Sequence, residues 1–395
     1  MISVSELRTA WAMTALEAEW DALLLESAEP NAFLSPAWCA TWWRHFGGGR
    51  ELRLFTARED GRLVGVLPLF EERVRRGGVG VTRWALVGEG DAGADYLGPL
   101  AARGNEARVS GAFAAHLRAG AGRWDVLELD GVDDASPALP RLLEAFPAGP
   151  SSPLPRQCDA RFECPFVPCV GTFDDYLAGV PRRDNLRRRE KWLAQQPGFR
   201  VDVATSPADV PRALEQFFAL HAARWQSEGG SDGITGDALV RFHRDLAQRL
   251  AERGWLRLYT LSVAGRAIAS VHAIHVAAAP RGKLLYYQSG YDPAWGARSP
   301  GLVLLARVIR DAFELRCAEL DFLRGCEPYK RDWARGVRRT VRLSVRGGAA
   351  GAASDAGLAL AATARSLAKR ALGGRATEAV RYAKRRLQAG RASGA

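Results

Sequence analysis

Two short stretches late in the 395-residue chain hold the residue types that bind phosphate groups or move protons. The first begins at a Ser-Pro pair, a strong helix start in which the serine hydroxyl caps free N–H groups. The N-terminus of such a helix presents unpaired N–H groups and positive dipole charge, which suit a phosphate or pyrophosphate. The residues expected to bind it are Gly296, Arg298, Ser299 and Gly301. The alternative is an ordinary capped helix of an α/β domain.

The second stretch, DFLRGCEPYKRDW at 321–333, follows the next predicted strand. A carboxylate can accept a proton, a phenol can donate one, and cations can hold an anion. The stretch supplies all three types in Asp321, Arg324, Glu327, Tyr329 and Lys330. The alternative is a salt-bridged loop that caps the sheet.

The elements around these stretches predict a βαβ unit. The run LLYYQSG (284–290) has the aromatic and polar composition of a half-buried strand. After the Ser-Pro pair, apolar residues recur at helical spacing, at Leu302, Leu305, Val308, Ile309 and Ala312. The run AELDFL (318–323) then predicts a second strand.

The composition predicts a globular protein of two or three domains, with 47% hydrophobic and 25% charged residues. No run approaches the ~18 apolar residues of a membrane helix, and the first 20 residues show no signal peptide. A cytoplasmic location is expected. Cys158, Cys164 and Cys169 are spaced C-x5-C-x4-C, unlike the paired cysteines of a zinc site, so no metal is predicted.

The positive charge is concentrated at the C-terminal end. Residues 346–395 hold 10 Lys and Arg against 2 Asp and Glu, whereas residues 1–345 hold 45 against 42. A near-neutral folded part argues against nucleic-acid binding. The Ala/Arg-rich tail has a weak apolar stripe of Leu360, Ala364, Leu367 and Ala371, which predicts contact with an anionic membrane surface or an acidic partner. A solvated helical appendage is the alternative.

An internal repeat predicts two copies of one α/β domain. The segments LRLFTAREDGR (52–62) and LRLYTLSVAGR (256–266) match without gaps, and six of eleven positions are identical. Each predicts a β-hairpin with a Gly-containing turn. The predicted boundaries are 1–146 and 169–345. The proline-rich segment 147–168 between them is predicted to be a linker, because prolines are excluded from central strands.

A basic run in the second copy leaves two interpretations open. Residues 173–199 predict two short helices, and the second carries a run from Arg182 to Lys191. The run is either a solvated helix face or a phosphate contact.

With these pieces in place, the sequence resembles the GNAT superfamily of acyltransferases in its tandem form, related to the FemAB-type aminoacyl transferases. It is most similar to the CelD-like proteins associated with cellulose and exopolysaccharide biosynthesis. The resemblance is carried by GRLVGVLPL (61–69), ADYLGPL (94–100), NLRRREKWL (185–193), FFALHAARW (217–225), LYYQSGYDP (285–293), RSPGLVLLARVI (298–309) and DFLRGCEPYKRDW (321–333). It implies two tandem GNAT-like α/β domains, each with a mixed central sheet flanked by helices, followed by a basic helical tail.

The resemblance also implies an acetyl-CoA or other acyl-CoA donor, held by a Q/R-x-x-G-x-G/A loop. Arg298 and Gly301 match that pattern, but Val303 stands where a second small residue is usual. FemAB-type relatives also lose the full loop and use aminoacyl-tRNA instead. The N-terminal copy has GEGDAGAD (88–95) without a comparable helix start, and is expected to be a degenerate, substrate-side copy.

The chemistry implied is attack of an amine or hydroxyl on a thioester, which needs a base, an acid at the thiolate and polarisation of the carbonyl. Glu327 is the predicted base and Tyr329 the predicted acid, while Lys330 or Arg324 holds an anionic substrate. The remaining predicted substrate-pocket residues are His221, Trp225, Tyr287 and Asp292. His272 and His275, an odd number of positions apart on a strand, are predicted to face opposite sides.

Three functions follow from the resemblance. The first is acyl-CoA-dependent N- or O-acyl transfer, chiefly of acetyl, to a sugar, a polysaccharide precursor or an amino compound. The second is a non-catalytic assembly partner of the same fold, and the third is transfer from aminoacyl-tRNA. The third predicts salt-sensitive RNA binding, which the near-neutral core disfavours.

Overall fold

Helices flank one large mixed sheet in the computed structural model. The structure describes residues 1–90, 92–149, 151–181, 183–227, 234, 236–278, 281–364 and 366, and within these residues the sheet has 13 strands. This confirms the predicted mixed α/β class. The two predicted sheets, however, form a single continuous one.

The N-terminal half starts with an edge strand and three helices, continues with an antiparallel run of strands, and ends in a strand–helix–strand–helix segment. Its elements are β1 (Ile2–Leu7), α1 (Trp11–Ala15), α2 (Glu17–Glu26), α3 (Pro36–Phe46), β2 (Glu51–Glu59), β3 (Arg62–Arg76), β4 (Val79–Leu86), β5 (Leu100–Ala101), α4 (Glu106–Ala119), β6 (Val126–Asp133) and α5 (Ala138–Ala145). The Ser35 hydroxyl accepts a hydrogen bond from the Trp38 N–H and so caps α3, as its Ser-Pro start predicts.

After an initial strand and two helices, the C-terminal half follows the same order of strands and helices as the N-terminal half. Its elements are β7 (Arg156–Pro168), α6 (Phe173–Ala178), α7 (Arg183–Ala194), β8 (Arg200–Ala204), α8 (Val210–Ser227), α9 (Asp237–Glu252), β9 (Leu256–Val263), β10 (Arg266–Val276), β11 (Lys283–Tyr291), α10 (Pro300–Glu314), β12 (Glu319–Asp321), α11 (Pro328–Trp333) and β13 (Gly336–Arg346). The predicted hairpins are β2–β3 and β9–β10, which pair antiparallel. Both turn at two residues with positive φ, Asp60-Gly61 and Ala264-Gly265, a combination that the right-handed twist of a hairpin favours.

The two halves exchange their last strands. The sheet order is β1-β2-β3-β4-β6-β13-β7-β12-β11-β10-β9-β8, with β5 pairing to β3. Strand β7, which follows the N-terminal half, lies beside β12 of the C-terminal half, and β13 returns to pair with β6 of the N-terminal half. Parallel pairing occurs once in each half, between β4 and β6 and between β11 and β12.

The predicted linker, residues 147–168, is therefore wrong in its second part, because residues 156–168 form strand β7 between β13 and β12. The strand tolerates its two prolines because both lie near its end. Pro165 is next to Phe166, where the partner changes from β13 to β12, and Pro168 is the last residue. The division into domains at 1–146 and 169–345 stays a prediction.

Two apolar cores lie on the two faces of the C-terminal strands. Leu285 and Tyr287 of β11 face a core that also contains α3, α8 and α9. Leu284 and Tyr286 face the other core, which contains α6 and α10. This alternation follows from the two-residue period of a strand. The first core joins the two halves, since Trp38 of α3 packs edge-on against Phe242 of α9.

The start of the basic tail docks on the N-terminal half. Residues 348–364 are helical, and Asp355 pairs with Arg76 of β3 and Arg346 of β13. Leu360 of the predicted apolar stripe is 72% exposed. Leu367 and Ala371 of that stripe lie outside the described residues.

Candidate functional site

The site is organised by a gap between the parallel strands β11 and β12. The two strands pair only over residues 283–285 and 319–321, whereas β11 continues to Tyr291. Where they part, β11 carries one residue more than its other neighbour: His272 pairs with Gln288 and Ala273 with Tyr286, so Tyr287 is the extra residue of a β-bulge. A bulge leaves backbone groups outside the regular ladder. The parting strands and the bulge together open β11 to a ligand.

The loop at the start of α10 differs from its prediction in one respect. The predicted donor-binding residues Gly296 and Arg298 lie in a short 3₁₀ helix, residues 293–298, capped by the Asp292 carboxylate. Ser299 adopts a left-handed conformation, with φ 53° and ψ 53°, and its side chain caps no N–H group. The predicted serine cap is therefore wrong here, because a capping serine has an extended backbone, as Ser35 does, and Ser299 does not.

A basic and aromatic surface borders this loop. The Arg298 guanidinium lies 4.0 Å from the centre of the Trp192 ring. Arg189 donates a hydrogen bond to the Ala297 carbonyl, so helix α7 with its basic run lies against the loop. A Cβ atom placed at Gly296 would meet no atom within 4 Å, and one at Gly301 would only touch Tyr291. The space in front of the loop is thus open.

The predicted acid–base residues come together on and before α11. The Glu327 carboxylate, 44% exposed, lies 3.0 Å from the Lys330 ammonium. Lys330 is 5% exposed and also donates to the Arg324 carbonyl at 2.8 Å. Lys330 therefore links the backbone at Arg324 to α11 and forms an ion pair with Glu327.

Tyr329 lies beside Tyr286 of β11. Burial, and then the neighbouring Tyr286 and Glu327, raise the pKa of Tyr329 well above its ordinary value. Burial also raises the pKa of Tyr286. Arg224 of α8 donates to the Ser289 hydroxyl at 3.0 Å. The cluster therefore holds a phenol that stays protonated at neutral pH.

His221 and Trp225 lie on α8 beside the same strand. The His221 ring is 2% exposed, and its Nδ1 lies 2.9 Å from the Ser289 carbonyl oxygen. Burial lowers the pKa of His221 to about 4, so the ring is neutral and Nδ1 donates to the carbonyl. The Trp225 ring packs 6.0 Å from that of His221. These two residues position the end of β11.

Tyr287 and Asp292 serve other contacts. The Tyr287 hydroxyl donates to the Ala92 carbonyl of the N-terminal half. Its ring lies 5.5 Å from His243 and 5.3 Å from His272. The Asp292 carboxylate accepts from Arg266 at 2.7 Å as well as capping the 3₁₀ helix. Both residues are parts of the framework around the site.

The N-terminal half supplies a wall of the site through the loop before β5. Asp95 is fully buried and accepts from the backbone N–H and Nε of Arg324 at 2.9 and 2.8 Å. Next to it, the Tyr96 hydroxyl donates to the Asp321 carboxylate at 2.8 Å. Burial raises the pKa of Asp321 to about 7. The substrate-side role of residues 88–95 stays a prediction.

Sequence reasoning missed several residues of this site. Tyr286 and Ser289 lie within LLYYQSG, where alternation along the strand was the available signal, and Arg224 lies one residue before Trp225. Asp95 gave no local signal, because its partner Arg324 is 229 positions away.

Two searches of the described part of the chain bear on the site. Among those residues, no group of three or more His, Cys, Asp or Glu side chains is placed to hold a metal ion. Within the same residues, no helix combines the length and apolarity needed to cross a bilayer.

Comparison with known families identifies the chemistry of the C-terminal half. Residues 181–331 match the family described as "Acetyltransferase (GNAT) domain". The match is shorter than half of the chain, but it spans α7, the α10 loop, Glu327 and Tyr329. A search of curated protein sequences found no match.

Solved structures share the fold over nearly the whole chain. FemX is similar with a TM-score of 0.55 and 13% identity, over 87% of this chain and 96% of its own. A conserved protein of unknown function from Bacteroides thetaiotaomicron has a TM-score of 0.52 and 13% identity, over 88% and 100%. L-PGS from Bacillus licheniformis has a TM-score of 0.51 and 13% identity, over 82% and 90%. At such identities the likeness concerns the fold.

The protein is an acyltransferase, and residues 181–331 of its C-terminal half match a GNAT acetyltransferase domain. Over 87% of its length, the chain has a mixed α/β fold similar to that of FemX.

Proposed function

We propose that the chain transfers an acyl group, chiefly acetyl, from acyl-CoA to the nitrogen or oxygen of a sugar, a polysaccharide precursor or an amino compound. The observation that carries the proposal is the gap between β11 and β12. Helix α10 and the Tyr286–Tyr329 cluster lie on the same face of that gap. A donor bound at the α10 loop would therefore have a phenolic acid on its own side of the sheet.

The residues around the α10 loop suit the phosphates of a coenzyme. Gly296, Arg298, Ser299 and Gly301 would line the pyrophosphate, with backbone N–H groups and a guanidinium as donors. Helix α7 would add positive charge, because Arg189 already contacts the loop. Val303, the departure from the usual pattern, is 4% exposed and packs in the core below the loop.

The chemistry assigned to the chain's own residues is proton transfer. Bound acyl-CoA supplies the thioester carbonyl. Glu327 accepts a proton from the attacking amine or hydroxyl as the new C–N or C–O bond forms. Tyr329 gives its proton to the sulfur as the C–S bond breaks, a role open to a phenol because it is protonated at neutral pH. Lys330 or Arg324 holds an anionic part of the substrate.

The finer assignments rest on the sequence motifs. The CelD-like resemblance supports a role in exopolysaccharide or cellulose biosynthesis. The basic tail supports contact with an anionic membrane surface, and the low net charge of residues 1–345 supports a function without nucleic acid.

One observation favours an alternative function, transfer from aminoacyl-tRNA, which is the second candidate function. Ser299 caps no N–H group, and its own carbonyl accepts from the N–H groups of Leu302 and Val303, so part of the anion-binding capacity of the α10 start is already used. A weakened phosphate loop is what the FemAB-type alternative predicts.

Calorimetric titration separates the two candidates. We expect acetyl-CoA to bind the wild-type chain, and Arg298→Ala to weaken binding about tenfold, or ~1.4 kcal/mol. The control is Arg141→Ala, which removes an exposed guanidinium that pairs with Glu144 on the same helix. If neither acetyl-CoA nor a longer acyl-CoA binds, whereas tRNA binds with strong salt dependence, acyl-CoA transfer is ruled out in favour of the second candidate.

A further inference from the structure

A cavity of about 310 Å³ lies where the two halves meet, on the face of β11 and β12 opposite α10. The N-terminal half lines it with the segment before α3, the loop around β5, the first turns of α4 and the start of α5. The C-terminal half adds Lys283, Leu285, Asp321 and Arg338. Its volume is that of a small ligand pocket, and it contains none of the residues predicted from the sequence to bind substrate.

Charge in this cavity is predominantly negative. Four carboxylates line it, Glu29, Glu106, Asp133 and Asp321, against two cations, Lys283 and Arg338. Lys283 pairs with Glu29 and Arg338 with Asp321, and both cations also pair with a further carboxylate, Glu319, at 3.1 and 2.6 Å. Glu106 and Asp133 therefore supply the negative charge that these two cations do not pair with. The excess negative charge favours a cationic ligand.

A second feature, independent of charge, also indicates a ligand. Ser110 of α4 lines the cavity and is fully buried. Within the described residues its hydroxyl has no hydrogen-bond partner. A buried hydroxyl without a partner is costly, and a ligand with hydroxyl or amine groups would satisfy it.

Asp321 connects the cavity to the strand gap. Asp321 is 1% exposed and pairs with Leu285 in the last register pair before β11 and β12 part. Tyr96 and the Leu323 N–H donate to it. Burial raises its pKa to about 7, so a cation beside it would favour its ionised form.

We infer that this cavity binds a small ligand carrying a primary ammonium group, and that the ligand is the acceptor of the acyl transfer, an inference that rests on the proposed function. Carboxylates of the cavity hold the ammonium group, and the Ser110 hydroxyl holds a polar group of the same ligand. The ammonium group gives one proton to Asp321 before the neutral amine attacks the thioester, and the second proton, released as the C–N bond forms, goes to Glu327 as in the proposed function. The strand gap separates this acceptor side from the donor side at α10. The acceptor class is therefore a monosaccharide-sized amino compound.

The test compares two probes that differ in one group. Binding of 6-amino-6-deoxyglucose and of glucose to the full chain is measured by saturation-transfer NMR and calorimetry at pH 7. We expect the amino sugar to bind and glucose to bind at least tenfold more weakly. Equal binding of both probes, or no binding of the amino sugar, overturns the inference.

Cavity variants locate the binding. Ser136→Phe, on a half-exposed loop at the cavity wall, fills the space and removes one hydrogen bond, from the Ala138 N–H at the start of α5 to the Ser136 hydroxyl. It should weaken the amino sugar at least tenfold, as should Asp321→Asn. Ser151→Phe, on an exposed loop outside the cavity, is the control. Unchanged binding in Ser136→Phe overturns the assignment to the cavity.

A titration with acetyl-CoA on the same samples separates this inference from the proposed function. Ser136→Phe should leave acetyl-CoA binding unchanged, because the donor loop lies on the other face of the sheet. If the wild-type chain binds the amino sugar in the cavity but binds no acyl-CoA, the proposed function fails and the cavity stands only as an amine site.

Discussion

Asp95 and Arg324 form a charged pair that joins the two halves of the chain. Asp95 is fully buried, and its two carboxylate oxygens accept from the backbone N–H and the Nε of Arg324 at 2.9 and 2.8 Å. The Arg324 side chain is 33% exposed and also packs 4.6 Å from the centre of the Phe162 ring. The two partners therefore differ in what remains when the other is removed.

This difference predicts unequal costs for the two truncations. Arg324→Ala leaves a buried carboxylate without its cation and should lower the free energy of unfolding by about 3–5 kcal/mol. Asp95→Ala leaves a guanidinium that water can reach, so its cost should be smaller, on the order of 2 kcal/mol. Urea unfolding of both variants at pH 8 measures the difference. The exposed Arg141–Glu144 pair is the control, with an expected cost below about 1 kcal/mol for Arg141→Ala. Equal costs for the two truncations would contradict the burial argument.

The buried histidines predict a pH-dependent stability. Burial lowers the pKa of His272 to about 4, and both of its ring nitrogens lack partners among the described residues. Below pH 6.5 the His272 imidazole is protonated in the unfolded chain but stays neutral in the folded chain. The free energy of unfolding therefore falls as the pH falls from about 6.5 to 4. The full loss is roughly 3 kcal/mol for a shift of two to three pKa units. Asp321, whose pKa is raised, acts in the opposite direction over the same range.

Removing the imidazole isolates its contribution. His272→Phe should lose little stability at pH 8 and should gain relative to wild type as the pH falls to 4, because the variant has nothing to protonate. Phe217→Leu, at a ring that packs 5.8 Å from His272, is the packing control. Its effect should be the same at every pH. Parallel curves for wild type and His272→Phe would disprove the assignment.

Gly290 lets helix α8 approach the site strand. A Cβ atom at this position would lie 2.3 Å from the His221 backbone N and 2.5 Å from the Leu220 carbonyl carbon. Backbone cannot rotate away, so Gly290→Ala should push α8 from β11 and break the contact between His221 and Ser289. We expect a loss of about 2–3 kcal/mol in stability and a lower acyl-transfer rate. Gly80→Ala, at a strand position where a Cβ atom meets nothing within 4 Å, should be tolerated.

Local signals in the sequence predicted most elements but not their connections. Both hairpins were predictable because the Gly-containing turns and flanking apolar runs act over a few residues. The βαβ unit was predictable from periodicity. The exchange of β7 and β13 was not, because it depends on pairing between residues such as Leu343 and Cys158, which are far apart in the chain.

The site divided in the same way. Glu327, Tyr329 and Lys330 are close in sequence, and the structure brings them together on α11. The Ser299 cap was wrong because Ser299 is left-handed whereas Ser35 is extended, although both serines follow a 3₁₀ helix and precede a proline. Asp95 and the cavity at Ser110 depend on how the two halves pack, and no local pattern encodes that.

Tyr329 offers the sharpest test of the proposed chemistry. If its phenol protonates the leaving sulfur, Tyr329→Phe should lower kcat about 100-fold with little change in the KM for acetyl-CoA, since the ring is retained. In an acyl thioester of a more acidic thiol, such as thiophenol, the leaving group departs as a stable thiolate and needs no proton. With that donor the defect of Tyr329→Phe should shrink to within a few fold, while the defect of Glu327→Gln should persist, because the attacking group must still lose its proton. A defect in Tyr329→Phe that is the same for both donors would instead indicate that Tyr329 only packs against Tyr286.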